Sequence, residues 1–167
     1  MSSPLLHWPH QIVARMLWAN RTGLGLTDPS WWASHRVADR TDATHDWPVF
    51  YANEPAEPDE CVTVYGATPV LQQKILLTGQ QMKNHGLTVR VRGRTDTALG
   101  TKVLAIEHDL NEAAHDQLVT LGAQQYLVQS FPRASAVPAF RADVGGRELW
   151  VANVNCLAVI LAYPLRG

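Results

Sequence analysis

The stretch Gly86-Leu-Thr-Val-Arg-Val-Arg-Gly93 alternates without a break and runs almost directly into a capped amphipathic helix, and nothing else in the sequence restricts the fold so tightly. Strict alternation sends Leu87, Val89 and Val91 to one face of a strand and Thr88, Arg90 and Arg92 to the other. Thr95 or Asp96 then supplies the cap of a helix over 96–114. Leu99, Val103, Ile106, Leu110 and Ala113 recur at steps of four and three, which makes an apolar seam suited to packing on a sheet.

The flanking segments extend this unit. Trp8, Ile12, Met16 and Ala19, widened by Val13 and Leu17, predict an N-terminal helix that Pro9 opens and Gly23 with Gly25 closes. Residues 26–46 read as an irregular loop; Trp31 and Trp32 cannot share one face of a regular element, so one of them faces a partner or folds back over the core. Trp47–Tyr51 and Cys61–Tyr65 read as short strands around the acidic turn Glu54–Glu60. Residues 66–85 are expected to form a second long loop, with a helical turn around Val70–Leu77. Gln124–Phe131 and Ala139–Val144 read as strands, and Val144-Gly-Gly-Arg147 as a tight hairpin turn. The return strand, Glu148–Ala162, becomes apolar on both faces from Val154, as expected of a strand covered on both sides. The fold class expected is α+β: an antiparallel β-sheet with a long amphipathic helix packed on one face, plus an N-terminal helix, in a single domain over 1–167.

Composition excludes several classes of function. With 167 residues, 46% apolar and 17% charged, the chain can bury an ordinary core without staples. A net charge of −1 provides no general attraction to nucleic acid. Cys61 and Cys156 stand outside any CxxC pair and read as small buried side chains. Pro4, His7, Pro9 and His10 interrupt the place of a signal peptide, and the apolar run 157–163 is far short of a membrane span, so synthesis in the cytoplasm is expected.

Chemistry is sparse. His108, Glu112 and His115 fall at i, i+4 and i+7 on one helix face, a spacing able to present two imidazoles and a carboxylate to zinc. They lie away from the apolar seam, with no HExxH pattern and no evident fourth ligand, so a solvated face is the favoured reading and no cofactor is expected. His7 and His10 read as exposed end residues. No phosphate-cradling loop precedes a Lys-Ser or Lys-Thr, and no Gly-x-Ser-x-Gly elbow occurs, so no enzymatic activity is expected. Arg90, Arg92 and Arg94 form a basic stripe, suited to an acidic partner or to passing DNA, or else to balance by Glu54, Glu57, Asp59 and Glu60; the balanced reading is preferred.

The strand Gly86–Arg94 followed by the helix from Asp96 to Ala114 resembles the "V-R-V-R-G" strand and following helix of small minor-capsid or tail-completion proteins, the tail-terminator group of long-tailed bacteriophages. Glu57-Pro-Asp-Glu-Cys-Val-Thr-Val-Tyr-Gly66, Phe131-Pro-Arg, Pro138-Ala-Phe140 and the final strand from Trp150 to Leu161 echo further segments of that group, so the likeness extends over about residues 5–161. Trp31-Trp32 and the histidines of the long helix stand outside it. The resemblance implies a homo-oligomeric ring, typically a hexamer, at the head–tail junction of the virion. Such a ring caps the tail tube, stops its polymerisation and meets the head connector, with genomic DNA passing through without sequence-specific binding and no membrane involved. Its loops order on assembly, and the segments 26–46 and 66–85 are the candidates. Interface residues expected on this reading are Arg90, Arg92, Arg94, Gln72, Gln73, Lys74, Trp31 and Trp32. Three other readings fit the same residues less closely: a head-completion or stopper protein of the neck, a metal-dependent enzyme using His108, Glu112 and His115, and a cytosolic protein-binding module unrelated to phages.

Overall fold

A computed structural model describes residues 5–35, 46–67, 70–74 and 81–163. The elements are α1 (Pro9–Ala19), β1 (Leu26–Thr27), α2 (Pro29–His35), β2 (Trp47–Tyr51), β3 (Cys61–Gly66), β4 (Val70–Lys74) and β5 (Gln81–Gly93), then α3 (Asp96–Glu112), β6 (Gln117–Leu121), β7 (Gln124–Ala136), β8 (Phe140–Val144) and β9 (Arg147–Tyr163). They build a nine-stranded sheet in the order β1-β2-β3-β5-β9-β7-β6, with β4 beside β5 and β8 beside β9.

The fold is α+β only in the broad sense, and the expected antiparallel β-sheet with a long amphipathic helix packed on one face plus an N-terminal helix is overturned. Strands make up most of the described structure, and the sheet is curled and mixed, because β1 pairs with β2 and β2 with β3 in parallel. The acidic segment expected as a turn between neighbouring strands of an antiparallel sheet instead takes the chain from Tyr51 back along the strand, roughly 15 Å for a strand of this length, before β3 starts at Cys61. Register shifts between Val128 and Ser130 and between Ser130 and Arg133, where β7 meets β9, mark bulges of the kind that bend a sheet.

One face of the sheet carries the core. α1 begins at Pro9, a first-turn proline, and buries Ile12, Val13, Ala14, Met16 and Leu17. Thr95 caps α3 by accepting from the Ala98 amide, and Leu99, Val103, Ile106 and Leu110 are buried. These side chains cluster with Val62, Val64, Leu87, Val89, Val91, Val154, Cys156, Ala158 and Ile160. Burying each large aliphatic contributes roughly 1.5–3 kcal/mol. Gly145 and Gly146 turn the β8–β9 hairpin with φ of 61° and 81°, two successive left-handed residues that suit a type I′ turn.

Local departures from the sequence reading have local causes. α3 ends at Glu112, so Ala114 is buried where Ala113 was expected. Trp8 is 70% exposed because it sits at the N-cap, outside the stripe. Within the segment read as a loop, β4 and β5 form a hairpin, with Val70 opposite Asn84 and Lys74 opposite Gln81; residues 75–80 lie outside the described residues. Val70–Lys74 is therefore strand and not a helical turn. The loop over 26–46 contains β1 and α2, and its residues 36–45 are likewise outside the described ones.

Candidate interaction surface

The register places Leu87, Val89 and Val91 toward the helices and Thr88, Arg90 and Arg92 on the opposite face. That outer face carries Tyr65, Thr88, Arg90, Asn153 and Asn155, none of them buried. Thr88 Oγ1 donates to Asn155 Oδ1 at 3.1 Å, and Arg90 Nε donates to Asn153 Oδ1 at 3.2 Å. The Arg90 guanidinium also lies 5.6 Å from the centre of the Tyr65 ring. The result is a polar ladder with few full charges, in which cross-strand pairs hold Thr88 and Arg90.

The three arginines meet different fates. Arg92 is fully buried. Its Nη2 donates to the carbonyls of Pro55 (2.8 Å), Ala56 (3.3 Å) and Pro58 (2.5 Å), and its Nε to that of Asp59 (3.2 Å). The loop that returns from β2 to β3 has no sheet partner for these carbonyls, and the planar guanidinium supplies one. Glu54 adds a charge, with carboxylate oxygens 3.6 Å from Arg92 and 3.7 Å from Arg90. Arg94 is exposed and pairs with Asp59 at 3.1 Å, while Arg147 from the β8–β9 hairpin pairs with the other oxygen of Asp59 and donates to Ala56 O at 2.9 Å. Arg90 and Arg92 of β5, Arg94 just after it and Arg147 of β9 thus clasp one acidic loop. The balance by Glu54 and Asp59 is realised, and any contribution of Arg92 to a partner passes through the loop it holds. A shallow recess beside the clasp is lined by Trp32, Trp47, Asp46, Glu57, Glu60 and Arg94 among others.

The other candidates are dispersed. Trp31 and Trp32 sit on α2, Trp31 being 49% exposed and Trp32 half-buried against the recess. Gln72, Gln73 and Lys74 are on β4, the arm that continues β3 along β5. His108, Glu112 and His115 are all exposed, and His115 lies beyond the end of α3, so the helical spacing that would have aligned it is lost. Among the described residues no group of three or more His, Cys, Asp or Glu is placed to hold a metal ion. No helix among them is long and apolar enough to cross a membrane. Neither end histidine is a plain surface residue. His7 Nδ1 meets the buried Tyr126 hydroxyl at 2.5 Å, and His10 stacks against Trp8, with burial holding its pKa below the ordinary value.

The side chains that cover the sheet edges carry no motif in the sequence. Asn111 of α3 makes a reciprocal pair with Ala134 of β7, donating to its carbonyl at 3.0 Å and accepting from its amide at 3.1 Å. One helical turn earlier, Glu107 accepts from the Ala136 amide at 2.5 Å. Asn20, the residue after α1, donates to Leu118 O of β6 at 2.7 Å. These amides and a carboxylate stand in for a missing strand. A polar residue beside the apolar seam, as Asn111 is beside Leu110, was the available signal. Elsewhere a charge on α3 is paired: Arg21, just beyond α1, grips the buried Asp109 through two bonds of 2.9 and 2.7 Å, which raises the arginine pKa. Lys102 donates to Leu24 O and Gly25 O, while burial lowers its pKa.

No protein-family model matches the chain, and no curated protein is similar to it at a significant level. Among solved structures, the chain is similar to one from the "Virion of native gene transfer agent (GTA) particle", with 15% identity and a TM-score of 0.40 over 68% of this chain and 78% of that chain.

Proposed function

We propose that this protein is a structural component of a phage-type virion, acting at the head–tail junction as a ring that caps the tail tube, stops its polymerisation and joins it to the head connector. The observation that carries the reading is the unit from β5 through the Thr95 cap into α3, whose sequence resembles the tail-terminator group. The way polar groups are used is consistent with it. Arginines and carboxylates hold a loop, amides hold sheet edges, and the outer sheet face offers a broad polar ladder rather than a cleft with converging reactive groups. Partners on this reading are further copies of the chain, the tail tube protein and the connector, with Arg90, Arg94, Trp31 and the arm bearing Gln72, Gln73 and Lys74 as contact candidates.

The test is assembly. Purified protein is mixed with polymerising tail tube protein and imaged by negative-stain microscopy, with tube lengths counted. Rings on tube ends and an arrest of elongation are expected, weakened by charge reversal at Arg90 and Lys74. Tubes that elongate unchanged in its presence refute the capping role.

A further inference from the structure

The sheet edges are guarded unequally. Asn111 and Glu107 cover the β7 edge and Asn20 occupies an outward carbonyl of β6, whereas among the described residues β8 pairs with β9 alone. In a two-residue hairpin the pair flanking the turn, Val144 and Arg147, is hydrogen-bonded, so bonded pairs fall at Val144, Ala142 and Phe140. The amides and carbonyls of Arg141 and Asp143 therefore point away from β9. Neither makes a backbone bond elsewhere among the described residues. Both side chains are exposed.

We propose that β8 is a docking edge for β8 of a second copy of this chain, in an antiparallel pair centred on Ala142. The sequence Phe140-Arg-Ala-Asp-Val144 is complementary to its own reverse. In this register Arg141 faces Asp143 of the second copy, Asp143 faces its Arg141, and Phe140 faces its Val144. Arg141 and Asp143 are also the residues whose backbone groups point outward, so the two charged pairs coincide with the two hydrogen-bonded pairs, four backbone bonds in all. No other register within β8 places opposite charges across both outward positions. Arg141 now pairs with Glu148 at 3.2 Å, both side chains being mostly exposed, and its guanidinium lies 4.9 Å from the centre of the Trp150 ring, surface contacts that compete only weakly. Asp143 uses one oxygen to accept from the Gly146 amide at 2.9 Å and keeps the other for a partner. The contact is isologous, so it closes as a pair and cannot grow into a filament. It does not depend on the ring reading; where rings form, it joins them in pairs.

The experiment is charge exchange, read as particle mass by sedimentation equilibrium at chain concentrations up to about 100 µM, a range suited to so short an edge. Wild type is expected to reach an even-membered mass. Arg141→Asp and Asp143→Arg each set like charges opposite each other twice, and each is expected to weaken self-pairing by about tenfold or more, halving the particle mass. An equimolar mixture of the two variants restores opposite charges at both positions, and so does the double exchange within one chain. Both are expected to regain the wild-type mass, a rescue that damage to the hairpin itself would not allow. Circular dichroism confirms that each variant is folded. A wild-type mass that the single variants leave unchanged, an absence of pairing in wild type, or a mixture that stays dissociated overturns the proposal. A single ring that ignores these substitutions overturns it while leaving the capping reading intact.

Discussion

Replacing Arg92 by alanine removes the buried group that makes most of the hydrogen bonds to the carbonyls of the return loop between the parallel strands β2 and β3. Three carbonyls, those of Pro55, Pro58 and Asp59, lose their donor, Ala56 O keeps only its bond from Arg147, and Glu54 loses its nearer cation. A buried acceptor left unpaired costs about 1–3 kcal/mol, yet the loop is partly exposed and water reaches some of the freed carbonyls, so the terms do not simply add. Breaking a buried charged pair by removing one partner costs roughly 3–5 kcal/mol, and we expect Arg92→Ala to lie in that range. For a chain of this length that corresponds to a fall in Tm of roughly 6–20 °C. Arg92→Lys keeps the charge but substitutes a compact ammonium for a planar fork, and reaches fewer of the carbonyls; about 1–3 kcal/mol is expected. Urea unfolding followed by circular dichroism gives both values, and hydrogen exchange of the loop amides shows whether the loss is local. A destabilisation by Arg92→Ala below about 1 kcal/mol would refute the argument, and would mean that the pairs Arg94–Asp59 and Arg147–Asp59 hold the loop unaided.

Three further outcomes test other parts of the structure. Burial pushes the Cys61 and Cys156 thiols up to about 12, so neither should react with a thiol reagent at neutral pH until the chain unfolds. Because the unfolded thiols ionise near 9 and the folded ones do not, stability is intact below pH 9 and lost between 9 and 12, by about 1 kcal/mol per thiol at pH 10; a double Cys→Ala variant with the same urea slope against pH would refute this. Asn111→Ala strips both bonds from Ala134 and should cost about 1–3 kcal/mol while promoting concentration-dependent aggregation through the β7 edge, visible in sedimentation velocity. Gly25→Ala forces a left-handed residue at φ +66° and sets a Cβ 2.5 Å from Lys102 Nζ, displacing the lysine from two carbonyls; a loss of about 1–3 kcal/mol in thermal unfolding is expected.

The parts of the fold that were legible in the sequence are those fixed by local periodicity. The core face of β5, the seam of α3 and the Gly145-Gly146 turn each depend on a few neighbouring residues, and the structure shows them buried or turned accordingly. The parallel pairing of β2 with β3 was not legible, because two strands flanking an acidic, proline-bearing segment look alike whether the segment turns back at once or first runs the length of the strand. β6 escaped notice because Val119 is its only buried side chain, too little for a period-two signal. The β4–β5 hairpin lies in a stretch whose glutamines and lysines carry no apolar alternation.

The basic stripe shows why an interaction surface is harder to read than a core. Alternation correctly removes Arg90 and Arg92 from the helix-facing side, but it is silent on what covers the other side. That is settled by a loop more than thirty residues earlier in the chain (roughly the separation between Asp59 and Arg92), which buries Arg92 and leaves Arg90 half-exposed on Asn153. A charge pattern in sequence therefore names candidates and not a surface. Backbone accounting is more discriminating in a molecule of this kind. Each strand has donors and acceptors that must be met, and following them from β6 and β7, where Asn20, Asn111 and Glu107 meet them, to β8, where no backbone partner other than β9 meets them among the described residues, picks out an edge that no motif marks. That edge then supplies its own specificity, since Arg141 and Asp143 flank Ala142 in an order that reads as its own complement when reversed.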